Sequence, residues 1–180
     1  SVLGNVVFAL RCQGVSRAEA TRRARAELAA VGADHLASRP GGALSGGQAA
    51  RVALARVLAQ QTPVIMLDEP TAALDIKHQE QVLGLVRRIA ETAGVAVIVV
   101  VHDLNAAAAY CDHIICLADG VVASAGPVEE VYTSDNLSRI YGWPIHVTTT
   151  DGVVSVQPAR RRVTDNAENL LDLISERITL

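Results

Sequence analysis

The apolar residues of this chain recur with two different periods, and the change of period separates predicted helices from predicted strands. Val2, Val6 and Leu10 are spaced as on one face of a helix. Ser16 and Glu19 form the pattern of a capping box, which starts a second helix. Helices are predicted over residues 2–10, 16–31, 45–60 and 77–93.

Two short apolar runs interrupt the helical period, at Val64–Leu67 and Val95–Val101. Both are bounded by turn residues, so we expect buried strands of a parallel sheet, the second of them fully buried. Further along, alternating residues flank Asp119-Gly120 and Asp151-Gly152, which predict two hairpins. The whole pattern indicates an α/β protein.

Two carboxylates follow the first apolar run directly. Asp68 and Glu69 precede Pro70, which cannot continue a strand ladder, so they are expected at the carboxyl end of the strand. His102 follows the second run in the same way. Ligands of open α/β sheets bind at this edge, where two carboxylates suit one hard cation and one activated water. By itself, the acidic pair is explained about equally well as an exposed strand end, and a single histidine after a strand is usually structural.

The residues Ser45, Gly46 and Gly47 stand at the start of the third predicted helix. Glycines leave the backbone N–H groups open to close approach, and the amino terminus of a helix attracts anions. An ordinary glycine-rich helix start would show the same three residues, so their context decides between the two interpretations.

Composition narrows the class of protein without choosing one. The 180 residues fit a single domain, half of them are hydrophobic, and the net charge of −3 gives no reason to expect a nucleic-acid partner. The longest apolar run, Val95–Val101, is far shorter than a membrane span. Cys12, Cys111 and Cys116 lack metal-binding spacing and are expected to be reduced cytosolic thiols.

Four motifs occur in a characteristic order, at Leu44–Gln48, Val64–Glu69, Ala73–Asp75 and His102. They resemble the signature loop, the Walker B strand, the D-loop and the switch histidine of the nucleotide-binding ATPases of ABC transporters. The resemblance implies a P-loop NTPase-type α/β fold, of which this chain would carry the helical subdomain and the carboxyl-terminal part of the parallel-sheet core. The implied domains are residues 1–43 (helical subdomain), 44–158 (ATPase core) and 159–180 (basic, amphipathic tail).

The resemblance also implies a role for each motif residue in ATP hydrolysis between two subunits. The signature loop of one subunit would close over the γ-phosphate of an ATP bound by the other. Asp68 would hold Mg²⁺, Glu69 would orient and deprotonate the attacking water, and His102 would contact the γ-phosphate. The residues implied to contact ATP or to couple the two sites are Ser45, Gly46, Gly47, Gln48 and Asp75.

A more local resemblance concerns the transported substrate. Asp68–Glu80, Val101–Tyr110 and Ile140–Ile145 resemble the ATPases of iron-complex importers, haem importers in particular. The implied function is to couple ATP hydrolysis to haem uptake, with import of ferric siderophores or cobalamin as alternatives. The implied partners are a second ATPase subunit, integral-membrane permease subunits and an extracytoplasmic protein that binds haem or an iron complex. These partners would place the chain at the cytoplasmic face of the cell membrane.

Two other classes of protein stay open. A soluble ABC-type ATPase acting in DNA repair or on ribosomes would usually carry a long coiled-coil insertion or a second cassette, and this sequence shows neither. A degenerate, non-catalytic subunit would not need Glu69 and His102, which are both present.

Lys77 is the only lysine among sixteen basic residues, and the Gly-Lys-Ser/Thr pattern of a P-loop does not occur. The Walker A motif and the glutamine loop of the family are therefore expected upstream, in a longer ATPase. By the same reasoning, residues 1–180 alone are expected to be inactive.

We predict that residues 1–180 on their own do not bind ATP at physiological concentration. The phosphates need the backbone N–H groups and the lysine of a P-loop. The helix start after Ser45 contributes only about 0.3–1 kcal/mol, which is less than one tenfold step in affinity. Calorimetric titration with Mg-ATP checks this prediction, and a dissociation constant in the micromolar range would contradict it.

Overall fold

The computed structural model describes residues 1–72 and 74–160. Residues 1–111 form one compact unit, and the described residues from Asp112 onward form a second. The first unit contains α1 (Val2–Cys12), α2 (Arg17–Ala30), α3 (Gly46–Leu58), β1 (Val64–Asp68), α4 (Ile76–Ala93), β2 (Ala96–Val100) and α5 (Leu104–Tyr110). Two single turns of 3₁₀ helix, Asp34–Leu36 and Gly41–Ala43, lie between α2 and α3.

The predicted helix starts are confirmed by side-chain caps. The hydroxyl of Ser16 accepts a hydrogen bond from the backbone N–H of Glu19 at 3.3 Å, and Ser45 caps α3 in the same manner. Asp75 caps α4. This helix ends, as expected, at Gly94, whose φ of 62° is readily adopted only without a Cβ.

The core of the first unit lies between α1, α2 and α3. Each helix contributes its apolar stripe, and the alanines among these residues let the helix backbones approach closely. Among the described ranges, none of the helices combines the length and the apolar composition that crossing a membrane requires. The buried hydrophobic residues that the three helices contribute to this core are Val2, Val6, Leu10, Ala20, Ala24, Leu28, Leu54 and Ala55.

The strands β1 and β2 pair in parallel, as predicted, with Val64 opposite Ala96 and Asp68 opposite Val100. The pairing continues one residue beyond β1, because the backbone N–H of Glu69 donates to the carbonyl of Val100 at 3.1 Å. The polypeptide therefore leaves β1 and β2 at the same end of the sheet, the carboxyl end of both strands.

The prediction that the second strand is fully buried is wrong. Exposure alternates along both strands, and Ile65 is 3% exposed whereas Met66 is 73% and Ile98 is 52% exposed. Leu67 and Val97, on the covered face, pack against the helical core. An unbroken apolar run cannot reveal this difference, because it reads the same whether one or both faces of a strand are covered.

The second unit is built on the two predicted hairpins. The strand β3 (His113–Ala118) pairs with β4 (Val121–Pro127), and β5 (Ile145–Thr150) pairs with β6 (Val153–Pro158). Both turns use two residues of positive φ, as type I′ turns require. The short helices α6 (Val128–Val131) and α7 (Ser134–Tyr141) lie between the hairpins in sequence. Pro127, whose ψ of 153° is extended, is the N-cap of α6.

The predicted division into residues 1–43 and 44–158 remains a prediction. Residues 161–180, which include almost all of the predicted basic, amphipathic tail, lie outside the described residues.

Candidate active site

The carboxyl edge of the β1–β2 sheet brings Glu69 and His102 together. The Nε2 atom of His102 lies 2.8 Å from Oε1 of Glu69, so the imidazole donates a hydrogen bond to the carboxylate. The side chain of His102 is 80% exposed and that of Glu69 is 46% exposed, so both remain open to a ligand from solvent. The other carboxylate oxygen of Glu69 has no hydrogen-bond partner among the described residues. It is therefore free to accept a hydrogen bond from a water molecule.

Glu69 has an unusual backbone conformation. Its φ is 46°, in a region that residues with a Cβ seldom adopt, and conformations of this kind cost on the order of 1–3 kcal/mol. The position is held by the bond from its N–H to Val100 and by a turn in which its carbonyl accepts from the N–H of Ala72 at 3.0 Å. The strained backbone turns the chain out of the strand immediately after Asp68.

The residue after His102 anchors this end of the sheet to two helices. The carboxylate of Asp103 caps α5 by accepting from the N–H groups of Asn105 and Ala106, at 2.9 and 3.1 Å. It also accepts from the side-chain amide of Gln79 in α4 at 3.2 Å. These donors, first among them the N–H of Ala106, hold the pKa of Asp103 below its usual value. Asp103 thereby fixes the backbone that carries His102.

Asp68 is the last residue of β1 and is exposed. Within the described ranges, no group of three or more His, Cys, Asp or Glu residues could hold a metal ion unaided. Magnesium in nucleotide sites is typically bound by one or two carboxylates, together with phosphate oxygens and waters. A single exposed carboxylate next to Glu69 fits that kind of site.

The start of α3 carries a complete capping box. The hydroxyl of Ser45 accepts from the N–H of Gln48 at 3.4 Å, and the side chain of Gln48 accepts from the N–H of Ser45 at 3.1 Å. The N–H groups of Gly46 and Gly47 find no acceptor among the described residues. This end of α3 therefore offers two donors together with the positive end of the helix dipole.

Asp75 lies at the start of α4 and is bonded twice to His78. Its Oδ1 atom accepts from the backbone N–H of His78 at 2.9 Å and lies 2.7 Å from the imidazole Nδ1. These bonds, the backbone one first, lower the pKa of Asp75. The structure thus joins Asp75 to His78 and gathers the predicted residues into two groups, one at the sheet edge and one at the helix starts.

Three contributors to this site have no role in the sequence analysis, namely His78, Gln79 and Asp103. Asp75 and His78 stand at the N-cap and third positions of a helix, which is a readable signal for a cap. The contact between Gln79 and Asp103 joins residues that are 24 positions apart, and no local pattern signals it.

Residues 2–72 match the model of the ABC transporter family, in agreement with the resemblance that the four motifs indicate. It is 55% identical over 126 residues to the hemin import ATP-binding protein HmuV of Rhodococcus jostii (strain RHA1), an alignment that covers 69% of this chain and 43% of the relative. It is 40% identical over 149 residues to the cobalamin import ATP-binding protein BtuD of Halobacterium salinarum (strain ATCC 29341 / DSM 671 / R1), covering 82% of this chain and 37% of the relative. The chain therefore spans less than half the length of these two relatives.

Solved structures of the family share the fold. A dimeric bacterial ABC transporter cassette is 36% identical with a TM-score of 0.62, and the match covers 71% of this chain and 56% of the cassette. An ABC transporter in an inward-facing conformation gives a TM-score of 0.80 at 26% identity, covering 91% of this chain and 67% of the other. The predicted fold class, part of an ABC ATPase cassette, is confirmed.

We predict that Asp103→Ala lowers the free energy of unfolding by about 0.5–2 kcal/mol, because α5 loses its cap. Asp103→Asn keeps a capping oxygen and should cost much less at neutral pH. Because the folded-state pKa of Asp103 is lowered, its ionisation stabilises the fold above the unfolded-state pKa of about 3.9. That contribution is lost as the pH falls through the folded-state value.

Urea unfolding at pH 7 and at pH 3 measures both effects. Asp103→Asn should unfold with a weaker dependence on acid pH than the parent protein. Equal stability of the alanine and asparagine variants at pH 7 would show that Asp103 does not act as a cap.

Proposed function

We propose that this chain is part of the ATP-binding subunit of a haem importer and that its sheet edge carries the hydrolytic chemistry. The observation that carries the proposal is the contact between Glu69 and His102 at the carboxyl end of the sheet. A carboxylate placed there, with one oxygen held and the other open, suits the general base of a hydrolytic reaction. The family and the identity to hemin import proteins support the same function.

In this proposal, Glu69 orients a water molecule and accepts its proton as the water attacks the γ-phosphorus of ATP, and the bond from that phosphorus to the bridging oxygen breaks to release ADP. His102 holds the Glu69 carboxylate through Nε2 before the nucleotide arrives, and its exposed imidazole can turn to a γ-phosphate oxygen afterwards. Asp103 and Gln79 keep the backbone of His102 in place during that exchange. Phosphoryl transfer depends mainly on positioning and charge, so these contacts bear directly on its rate.

Two further groups complete the proposed site. The N–H groups of Gly46 and Gly47 would bind phosphate oxygens of an ATP held by a second ATPase subunit, with Ser45 and Gln48 fixing the loop. Asp75 would couple that subunit interface to the local site. Asp68 would hold the Mg²⁺ ion, which neutralises phosphate charge when bound.

The names of the relatives support a proposal for the cargo and the partners. Four hemin import proteins match at 48–55% identity, and a cobalamin import protein matches at 40%, so haem is the first candidate and cobalamin the second. In either case the chain would act at the cytoplasmic face of the cell membrane, where it would drive integral-membrane permease subunits. An extracytoplasmic binding protein would deliver the cargo to these subunits. Uptake of radiolabelled hemin and of radiolabelled cobalamin by cells with and without the gene distinguishes the two cargoes.

We predict that Glu69→Gln in the full-length protein lowers the rate of ATP hydrolysis about a hundredfold to ten-thousandfold, because the general base is lost. ATP binding should be retained, since glutamine keeps the size and the hydrogen bond of the side chain. Phosphate release and nucleotide binding are measured side by side, with Glu129→Gln on α6 as the matched control. ATPase activity of the Glu69 variant within a few-fold of the parent would exclude Glu69 as the base.

We also predict that the loop at Ser45 acts across a dimer. A mixed dimer with Ser45→Arg in one subunit and an inactive P-loop in the other should keep one competent site, because both defects fall on the same composite site. Placing both substitutions in one subunit beside an unmodified partner should leave none. Trapping of one ATP per dimer is the measurement, and the opposite result in the two dimers would show that the loop acts within its own subunit.

A further inference from the structure

His78 fills the space between the start of α3 and the start of α4. On one side, its Nδ1 atom lies 2.7 Å from the carboxylate of Asp75. Since a carboxylate can only accept, Nδ1 carries the proton in this contact. On the other side, the imidazole lies against the backbone of Gly47, which is buried.

The contact with Gly47 leaves no room for a side chain. A Cβ atom at residue 47 would lie 2.5 Å from Cδ2 of His78 and 3.1 Å from Cγ, and the first distance is impossible without movement. The φ of Gly47 is not in the left-handed region, so its backbone conformation does not require glycine. What requires glycine here is the close approach of the imidazole.

A second contact maintains the same alignment of the two helices. One turn along α3, the guanidinium of Arg51 donates to the side-chain carbonyl of Gln81 at 2.7 Å. Successive turns of α3 therefore contact successive turns of α4, first through Gly47 and His78 and then through Arg51 and Gln81. A displacement of the α3 start cannot occur without moving His78, and with it the carboxylate of Asp75.

We propose that His78 is a positioning residue that couples the Asp75 carboxylate to the backbone of the Gly46-Gly47 loop. The inference rests on the proposed function, because its role is to make Asp75 follow the loop when the loop closes on nucleotide. The alternative is that His78 is only the third residue of a capped helix, in which case its side chain matters for stability alone.

The first test uses three substitutions in the protein as it occurs in the cell. His78→Ala should lower kcat for ATP hydrolysis about tenfold, while KM for ATP changes less than about threefold, because no group that contacts ATP is removed. His78→Asn places an N–H donor at the position of Nδ1 and should restore kcat to within about threefold of the parent. His78→Gln sets its donor one bond further out and should resemble alanine. His35→Ala, in the exposed turn after α2, is the matched control and should leave kcat unchanged.

The second test is a double-mutant cycle with Gly47→Ala. In the parent background, Gly47→Ala should lower kcat strongly, because the new methyl group displaces His78. In the His78→Ala background, the same change should lower kcat by a much smaller factor than in the parent, because the methyl group no longer meets the imidazole. An equal loss in both backgrounds, or a stability loss without a kcat loss for His78→Ala, would overturn the proposal.

Nuclear magnetic resonance separates failure of this inference from failure of the proposed function. His78→Ala should shift both the carboxyl signal of Asp75 and the amide signal of Gly47, whether or not the protein hydrolyses ATP. If the parent protein does not hydrolyse ATP but His78→Ala shifts both signals, the proposed function is refuted and the coupling is supported. If either signal is unmoved, the coupling is refuted even in an active ATPase.

Discussion

The parallel pairing of β1 with β2 is the constraint on which the candidate active site depends. Because Asp68 lies opposite Val100 and Glu69 continues the hydrogen-bond ladder, the chain leaves both strands at the same level. Glu69 and His102 therefore meet although they are 33 positions apart in the sequence. A register shift of one residue would turn every side chain of one strand to the opposite face and separate the pair. The helical core opposes such a shift by packing against one face of the sheet.

The helix α4 links the separate parts of the site through its first turn. Asp75 caps it, His78 contacts the start of α3, and Gln79 reaches the cap of α5. Residues 75–79 thus contact both Gly47 at the start of α3 and Asp103, the residue that follows His102. These side chains are partly or fully exposed, so their effect comes from geometry and not from burial. In the proposed coupling, a change of position at the α3 start would be transmitted through one tight steric contact and the hydrogen bonds between His78 and Asp75.

The parts of this fold that are local in sequence were predictable, and the parts that depend on packing were not. The strand ending in Asp68 and Glu69, the cap at Ser45 and the two hairpins each have a signal within a few residues. The exposed face of the sheet had none, because an apolar run does not state what covers it. The same holds for His78, since no pattern around it reveals that the backbone of Gly47 lies against its ring. Sequence reasoning placed Glu69 and His102 at one edge, whereas their separation of 2.8 Å required the register of the sheet.

The positive φ of Glu69 sets two kinds of selection against each other. A residue without a Cβ would occupy this backbone position at lower energy, so selection for a more stable fold alone would favour glycine here. Glycine, however, has no side chain that could accept a proton from water, which is the role proposed for Glu69. On the proposed role of Glu69, a glutamate in this strained position gives up stability for chemistry. In a laboratory evolution experiment that rewards heat resistance and ignores activity, position 69 would be among the first to drift.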